Sequence, residues 1–553
     1  MLKENFINYI ETSIKKNWEL PALTDYKGQS YHFKDVARKI ARIHIMFEEC
    51  EVKKGDKIAI VGKNSANWGM TYLSIVTYGA VVVPILPDFH SNDIHHIVNH
   101  SDSVVLFVGD TIWDNLDESS MTKLRAIFSL TDFRLLIEGD HEKIQKEYNK
   151  LDEIFNKRYP KGLNPKLFSI PEIPNKEIGV LNYTSGTTGF SKGVIIPLNS
   201  LVANIRYAIK NMPLKSEDNI VSFLPLAHTY GCAFEFLWPF TIGCHIHFLT
   251  RTPSPKIIIQ AYKEIKPNLI LSVPLIMEKM YKKQILPALE KQSMKLLLKV
   301  PVLDKTILNK VKAKLVEAFG GNFHEVVIGG AALNKDVELF LNKIKFPFSI
   351  GYGMTECGPL ISYANWDKTK LGSAGAIVDT LDIKIDSDDP YNTVGEIMVK
   401  GENLMYGYYK NKDATDKVID KDGWFHTGDL GVIDKENFIF IKGRSKSLLL
   451  GPSGENIYPE EIEAKINNFP CIQESVVIQK NNNLIGLVYP DFDYVDSKNI
   501  SEDKLAELMD ENKKEVNSSL PKYMQLSKIE LYPEEFEKTP KKNIKRYLYT
   551  SKY

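Results

Sequence analysis

The chain has 553 residues, more than a single hydrophobic core serves, so at least two domains are expected. Hydrophobic residues make up 43% and charged residues 25%, the balance of a globular protein rather than a disordered or membrane-spanning one. Lys plus Arg and Asp plus Glu both total 70, which leaves no overall field to recruit nucleic acid or an anionic membrane, so any affinity for phosphate has to be local.

The N-terminus, Met1-Leu-Lys-Glu-Asn-Phe, is polar and lacks the apolar segment of a secretory signal. No run of about 18 apolar residues occurs, the nearest being 220–234, broken by Pro225 and Gly231. A cytoplasmic protein is expected, with membrane contact limited to a peripheral one. The five cysteines (Cys50, Cys232, Cys244, Cys357, Cys471) show neither a C-x-x-C pair nor zinc spacing and read as buried thiols.

Residues 56–86 run from a β-branched stretch through a helical period (Trp68, Met70, Tyr72, Leu73, Val76) to a second β-branched stretch, Val81-Val-Val-Pro-Ile-Leu. That pattern predicts a βαβ unit and hence a parallel sheet, with further strands at Ser103–Val108 and at Leu135-Leu-Ile. The lysine- and glutamate-rich stretch 141–158 reads as a surface helix or linker. This half of the chain reads as scaffold.

Next comes the strand pattern Ile178-Gly-Val-Leu-Asn-Tyr, then Tyr183-Thr-Ser-Gly-Thr-Thr-Gly-Phe-Ser-Lys-Gly-Val194, then the apolar Val194-Ile-Ile-Pro. Glycines let backbone N–H groups turn inward, hydroxyls add donors, and Lys192 adds a positive charge, a combination suited to polyphosphate. It is not the common P-loop: Ser191 stands five residues after Gly186, and Gly193 rather than Ser or Thr follows the lysine. Apolar strands on both sides argue against a surface linker.

Downstream, Ile220 to Gly231 carries His228 within an aromatic segment continuing through Phe234, Phe236, Trp238 and Phe240. A lone histidine there is more often a satisfied core residue than a catalyst. Pro267 to Pro274 reads as a strand, 276–320 as lysine-rich solvated helix, and Val326-Val-Ile-Gly-Gly-Ala-Ala332 as a strand ending in small residues against which a flat ring could lie. In Phe348-Ser-Ile-Gly-Tyr-Gly-Met-Thr-Glu-Cys-Gly-Pro, a strand ends at Gly351. Beyond it Tyr352 can stack on a base, Thr355 can donate to a phosphate oxygen, and Glu356 offers a hard oxygen to Mg²⁺. A helix with Pro459 near its first position, strands at 472–479 and 484–489, a helix from about Ser501 and a basic tail complete the chain.

The stretch 183–193 resembles the phosphate loop of the adenylate-forming superfamily, which includes acyl-CoA synthetases, nonribosomal peptide adenylation domains and luciferases. The usual form is Y-T-S-G-T-T-G-x-P-K-G, and Ser191 replaces the proline. Residues 395–463 match the acyl-CoA synthetase signature, with Asp422-Gly-Trp-Phe-His-Thr-Gly-Asp-Leu-Gly431 and Gly443-Arg-Ser-Lys-Ser447 at its centre and Asn437 in place of a usual glycine. The resemblance runs from about residue 25 to the C-terminus and is strongest to long-chain fatty acid CoA ligases.

What the resemblance implies is specific. The fold is α/β, a large N-terminal domain of layered sheets flanked by helices (1–446) followed by a small mobile α+β lid (447–553) that turns about Ser447, where the family usually has Asp. ATP is held by Thr184, Ser185, Gly186, Thr187, Thr188, Gly189 and Lys192, by Gly330 and Ala331 at the adenine, and by Tyr352, Gly353, Met354 and Thr355. Asp429 accepts the ribose hydroxyls, joined by Arg444, with Lys446 nearby. Thr184 and Glu356 hold Mg²⁺, and His228 and Trp238 belong to the acyl pocket. The substrates are a fatty acid, ATP and CoA, without nucleic acid; oligomeric state stays open.

One departure stands out in Glu537-Lys-Thr-Pro-Lys-Lys-Asn-Ile-Lys-Arg546. The family reads K-T-P-x-x-K-I-x-R, and its active-site lysine falls at Asn543. Rescue by Lys542 is the favoured reading, with Lys541 as another source. The basic group Lys538, Lys541, Lys542, Lys545 and Arg546 reads either as a solvated tail or as a phosphate contact. A carrier-protein phosphopantetheine as acceptor, or a homologue that binds acyl groups or nucleotide without catalysis, remain open alternatives.

Overall fold

Residues 57–85 fold as their pattern requires. Strand Lys57–Val61 leads into helix Ala66–Tyr78, capped by Ser65, which accepts from Trp68 N, and closed by Gly79 in a left-handed conformation (φ +87°); strand Val81–Ile85 returns parallel to the first. The computed structural model describes residues 1–136, 148–184, 192–251, 254–289, 301–451, 455–481, 483–539 and 544–550.

These strands are central in a seven-stranded sheet ordered Gly407–Tyr408, Lys192–Pro197, Ile178–Thr184, Val81–Ile85, Lys57–Val61, Ser103–Val108, Ala126–Ser129. The last five run parallel, and Ile178–Thr184 and Lys192–Pro197 form an antiparallel hairpin. Both faces are covered: Ile58, Ile60, Val82 and Phe107 join one core, and Ala59, Val61, Val83 and Leu106 another. Strands buried on both sides have to be apolar throughout, which is why these read as continuous β-branched runs. The edge strand opposite Gly407–Tyr408 is Ala126–Ser129; Leu135, expected in a strand, makes only an isolated bridge to Phe128, and Ile137 lies outside the described residues.

A second sheet orders Ser30–His32, Pro21–Asp25, His245–Phe248 and Asn219–Ser222; a third, parallel, orders Ile270–Ser272, Val326–Ile328 and Phe348–Ile350. Leu381–Asp386, Gly395–Gly401, Phe425–Ile433 and Ile439–Arg444 form an antiparallel sheet beside them. The stretch 276–320 is helical where described, but Met277, Met280, Leu308 and Leu315 are buried, so it is amphipathic rather than wholly solvated.

Beyond Leu449 the chain builds separate cores from its own residues, such as Ile462, Val477, Val488 and Met509. They pack between helices Pro459–Ile466 and Glu502–Ser518 and the sheet Ile472–Lys480, Asn483–Pro490, Leu526–Leu531. Helix Pro459–Ile466 meets the larger part end-on. Asn334 Nδ2 donates to Ala464 O (3.2 Å) and Asn468 Oδ1 (2.5 Å), Asn468 Nδ2 to Asp336 Oδ2 (2.5 Å), and Lys282 Nζ to Asn467 O.

Candidate functional site

The Tyr352–Gly353 strand turns back through Thr355–Cys357 to pair with Leu360–Tyr363. The turn is tight: a Cβ on Gly353 would lie 2.1 Å from Pro359 O, so glycine is required. Its buried backbone groups are satisfied from elsewhere in the chain. Asn204 donates to Cys357 O (3.2 Å) and accepts from Leu360 N (2.8 Å), and Asn403 donates to Leu360 O (2.9 Å). Tyr352, Thr355 and Glu356 therefore stand on a pinned scaffold.

Two constellations form around this turn. In the first, Tyr352 Oη donates to Asp429 Oδ2 at 2.7 Å while Arg444 Nε lies 3.0 Å from Asp429 Oδ1. Asp429 and Arg444 are register partners on neighbouring strands, and Thr427 Oγ1 accepts from Asp429 N (3.0 Å). Asp429 is 4% exposed, and burial pushes its carboxyl up while Arg444 opposes the rise. Tyr352, 9% exposed, is raised well above its ordinary range by burial and by Asp429.

In the second, Tyr408 Oη donates to Glu356 Oε1 at 2.8 Å, and Lys192 Nζ sits 4.8 Å from the Tyr408 ring centroid. Lys192 begins the second strand of the hairpin and is cross-strand from Thr184, whose hydroxyl donates to Lys192 O (3.5 Å). Tyr408 stands in the run Tyr406-Gly-Tyr-Tyr-Lys-Asn; the run marks a signature but gives no role to any one of its tyrosines.

Glu356 Oε2 has no hydrogen-bond partner among the described residues, and no cluster of three or more His, Cys, Asp or Glu able to hold a metal occurs among them. Mg²⁺ commonly binds through one or two carboxylates plus substrate phosphates, so the open oxygen of Glu356 fits such an ion.

The other expected site residues are distributed as follows. Gly330 (φ +91°) and Ala331 are exposed just beyond strand Val326–Ile328, where Tyr230 supports the segment: its hydroxyl donates to Val327 O (3.1 Å) and its ring fills the space beside Gly329. Met354 donates its N–H to Pro359 O (2.8 Å). Lys446 is exposed and Ser447 half-buried in the short helix Ser445–Ser447. Ser185, Gly186, Thr187, Thr188 and Gly189, and Lys542 with Asn543, lie outside the described residues.

His228 is half-buried at the end of a pinned loop: Asn182 Nδ2 donates to Ala227 O (2.9 Å), Asn64 Oδ1 accepts from Leu226 N (3.0 Å), and Glu235 Oε2 accepts from Phe223 N and Leu224 N. A narrow apolar cavity lies beside this loop, lined by Tyr72, Val180, Leu201, Leu226, Ala233 and Leu237 and reaching Gly358 of the Thr355 turn. Trp238 does not line it; the indole is fully buried and packs edge-on against Phe234.

Where it is described, the basic tail is paired with carboxylates of its own domain. Arg546 makes a bidentate pair with Glu463 (2.6 and 2.7 Å), Lys538 pairs with Glu474 (2.6 Å) and Glu535 (2.5 Å), and Lys545 with Glu537 (3.4 Å).

The structure superposes on that of the anthranilate CoA ligase AuaEII in complex with anthranoyl-AMP with a TM-score of 0.79 at 18% identity, covering 100% of this chain and 98% of that one. Against ATP-bound MatB from Rhodopseudomonas palustris the TM-score is 0.75 at 18% identity, over 100% and 99%. In sequence the chain is 27% identical over 492 residues to long chain acyl-CoA synthetase 3 of Arabidopsis thaliana, covering 83% of this chain and 72% of that protein. It is also 27% identical over 464 residues to the long-chain-fatty-acid–CoA ligase FadD15 of Mycobacterium bovis, covering 79% and 73%. Residues 447–553 match the AMP-binding enzyme C-terminal domain. With residues 10–409 matching the AMP-binding enzyme family itself, the chain belongs to the AMP-binding enzymes.

Proposed function

We propose that this enzyme activates a long-chain fatty acid with ATP and transfers the acyl group to CoA. The observation that carries the reading is the likeness to long-chain acyl-CoA synthetases over about four-fifths of the chain. In the first half-reaction a carboxylate oxygen attacks the α-phosphorus, the bond to the bridging oxygen breaks, and pyrophosphate leaves. In the second, the CoA thiolate attacks the acyl carbon and AMP leaves.

Hydroxide is a poor leaving group and AMP a good one, so the protein's task is alignment and charge neutralisation. Lys192 and Thr355 face the phosphates, and Asp429 with Arg444 holds the ribose. Glu356 and Thr184 would hold Mg²⁺, which would supply positive charge against the pyrophosphate leaving group. The acyl chain enters beside His228, where the loop borders a narrow cavity lined mainly by apolar side chains, with Asn182 and Thr229 among them.

The chain from Ser447 onward acts as a lid that turns about this residue between the half-reactions. Ser447→Pro fixes φ there and should leave one half-reaction while abolishing the other; loss of both or of neither refutes the hinge. The five cysteines are free and buried, in keeping with a reducing compartment, and a cytoplasmic location is proposed. Among the described residues no helix is long and apolar enough to cross a membrane.

The test is a panel of acids of increasing chain length with ATP, Mg²⁺ and CoA, reading pyrophosphate and acyl-CoA separately. Both products should appear and peak at long chains. Nucleotide binding without pyrophosphate release from any acid overturns the reading.

A further inference from the structure

Lys192 and Glu356 carry opposite charges and both touch Tyr408, and among the described residues no ion pair joins them. The Lys192 ammonium rests over its ring and the Glu356 carboxylate accepts from its hydroxyl. Direct pairing of an ammonium with a carboxylate would satisfy each charge inside the protein and withdraw both from a ligand. A neutral aromatic with a hydroxyl at its far end satisfies each weakly and separately.

Tyr408 is well placed for such a task. Gly407–Tyr408 adds as an edge strand to Lys192–Pro197, with Tyr408 opposite Val194 and therefore diagonal to Lys192 on the same face. Backbone bonds fix it on both sides: Tyr406 N donates to Ile195 O (2.9 Å), Tyr409 N to Gly193 O (2.7 Å) and Met405 N to Glu356 O (2.8 Å). Tyr408 N itself donates to Thr415 Oγ1 (2.9 Å). The same short segment thus ties the strand after the phosphate loop to the backbone of Glu356.

We propose that Tyr408 is a positioning residue that holds Lys192 and Glu356 apart, keeping the lysine available to nucleotide phosphate and the carboxylate available to a divalent cation. The inference rests on the reading of Lys192 and Glu356 given above and adds a third residue to it.

The test compares Tyr408→Phe, which keeps the ring and removes the hydroxyl, with Tyr408→Leu, which removes both. Binding is measured by calorimetry with ATP in EDTA, and by electron paramagnetic resonance of Mn²⁺ with ATP present; acid-dependent pyrophosphate release is measured alongside. Tyr408→Phe should leave metal-free ATP affinity unchanged, weaken Mn²⁺ by about tenfold and move pyrophosphate release to higher Mg²⁺. Tyr408→Leu should lose metal-free ATP affinity as well, because Lys192 then pairs with Glu356. Adding Glu356→Gln to Tyr408→Leu should restore it by removing that partner. The proposal is overturned if Tyr408→Phe binds Mn²⁺ like the parent, or if Glu356→Gln restores nothing in the Tyr408→Leu background. Since the binding arms need no turnover, a parent without pyrophosphate release would count against the proposed reaction alone.

Discussion

Tyr352 and Asp429 stand 77 residues apart and meet through a buried 2.7 Å hydrogen bond, with Arg444 on the carboxylate's other oxygen. The carboxylate is thereby oriented by two groups of the protein itself, and under the proposed function its remaining lone pairs would take the ribose hydroxyls. The tyrosine serves as an anchor of this carboxylate through its hydroxyl, a role distinct from stacking.

Asp429→Ala should raise the ATP requirement by roughly 5- to 150-fold, the consequence of losing about 1–3 kcal/mol when buried hydroxyls lack an acceptor. Tyr352→Phe should show a smaller rise, because the ring stays and only the orienting bond goes. An ATP dependence unchanged in both variants would remove this cluster from the nucleotide site.

The docking of the C-terminal helix end should depend on Lys282 and Asn334. Lys282 is half-buried, with its ammonium pushed below the usual lysine range by desolvation, and Asn467 O is its acceptor. Replacing either Lys282 or Asn334 by Ala should raise hydrogen exchange at residues 464–468 without changing it at Ile58 to Val61. The contact is peripheral if exchange at 464–468 does not change.

The family lysine position is Asn543, and a missing positive charge at a phosphoryl-transfer site should cost orders of magnitude in adenylation. We expect Lys542→Ala to abolish acid-dependent pyrophosphate release and Asn543→Lys to increase it. If the first variant loses nothing and the second gains nothing, Lys542 does not substitute. Lys538, Lys545 and Arg546 are poor alternatives, since each is already paired with a carboxylate.

Three histidines should make the fold sensitive to acid. Burial lowers His44 to about 4, His245 to about 4 and His247 to about 3, the last two with ring centroids 4.0 Å apart. A depressed histidine is neutral when folded and protonates first in the unfolded chain. Its stabilising contribution is complete above pH 6.5 and is lost as pH falls toward 4. For His44 the full loss is about 3 kcal/mol. Urea midpoints between pH 7 and pH 4.5 should fall less steeply for His44→Gln than for the parent; parallel slopes would contradict the assignment.

Local sequence carried the strands and the motifs. Val81–Ile85, and Lys57–Val61 after its first residue, are legible because a strand buried on both faces leaves no polar position, and Gly353 because its turn leaves no room for a side chain. Asn437 in place of glycine is likewise consistent with its φ of +61°, a conformation asparagine tolerates. What only the tertiary structure decided are contacts between side chains remote in the chain: Tyr352 with Asp429, Tyr408 with Glu356 and Lys192, and Arg546 with Glu463. A basic run such as 538–546 reads alike whether its charges face water, phosphate or protein, because charge in a sequence has no direction until packing brings a partner to it. The same reason hid Tyr408: a tyrosine's ring and hydroxyl acquire a role only from the two groups that the fold sets at its opposite ends.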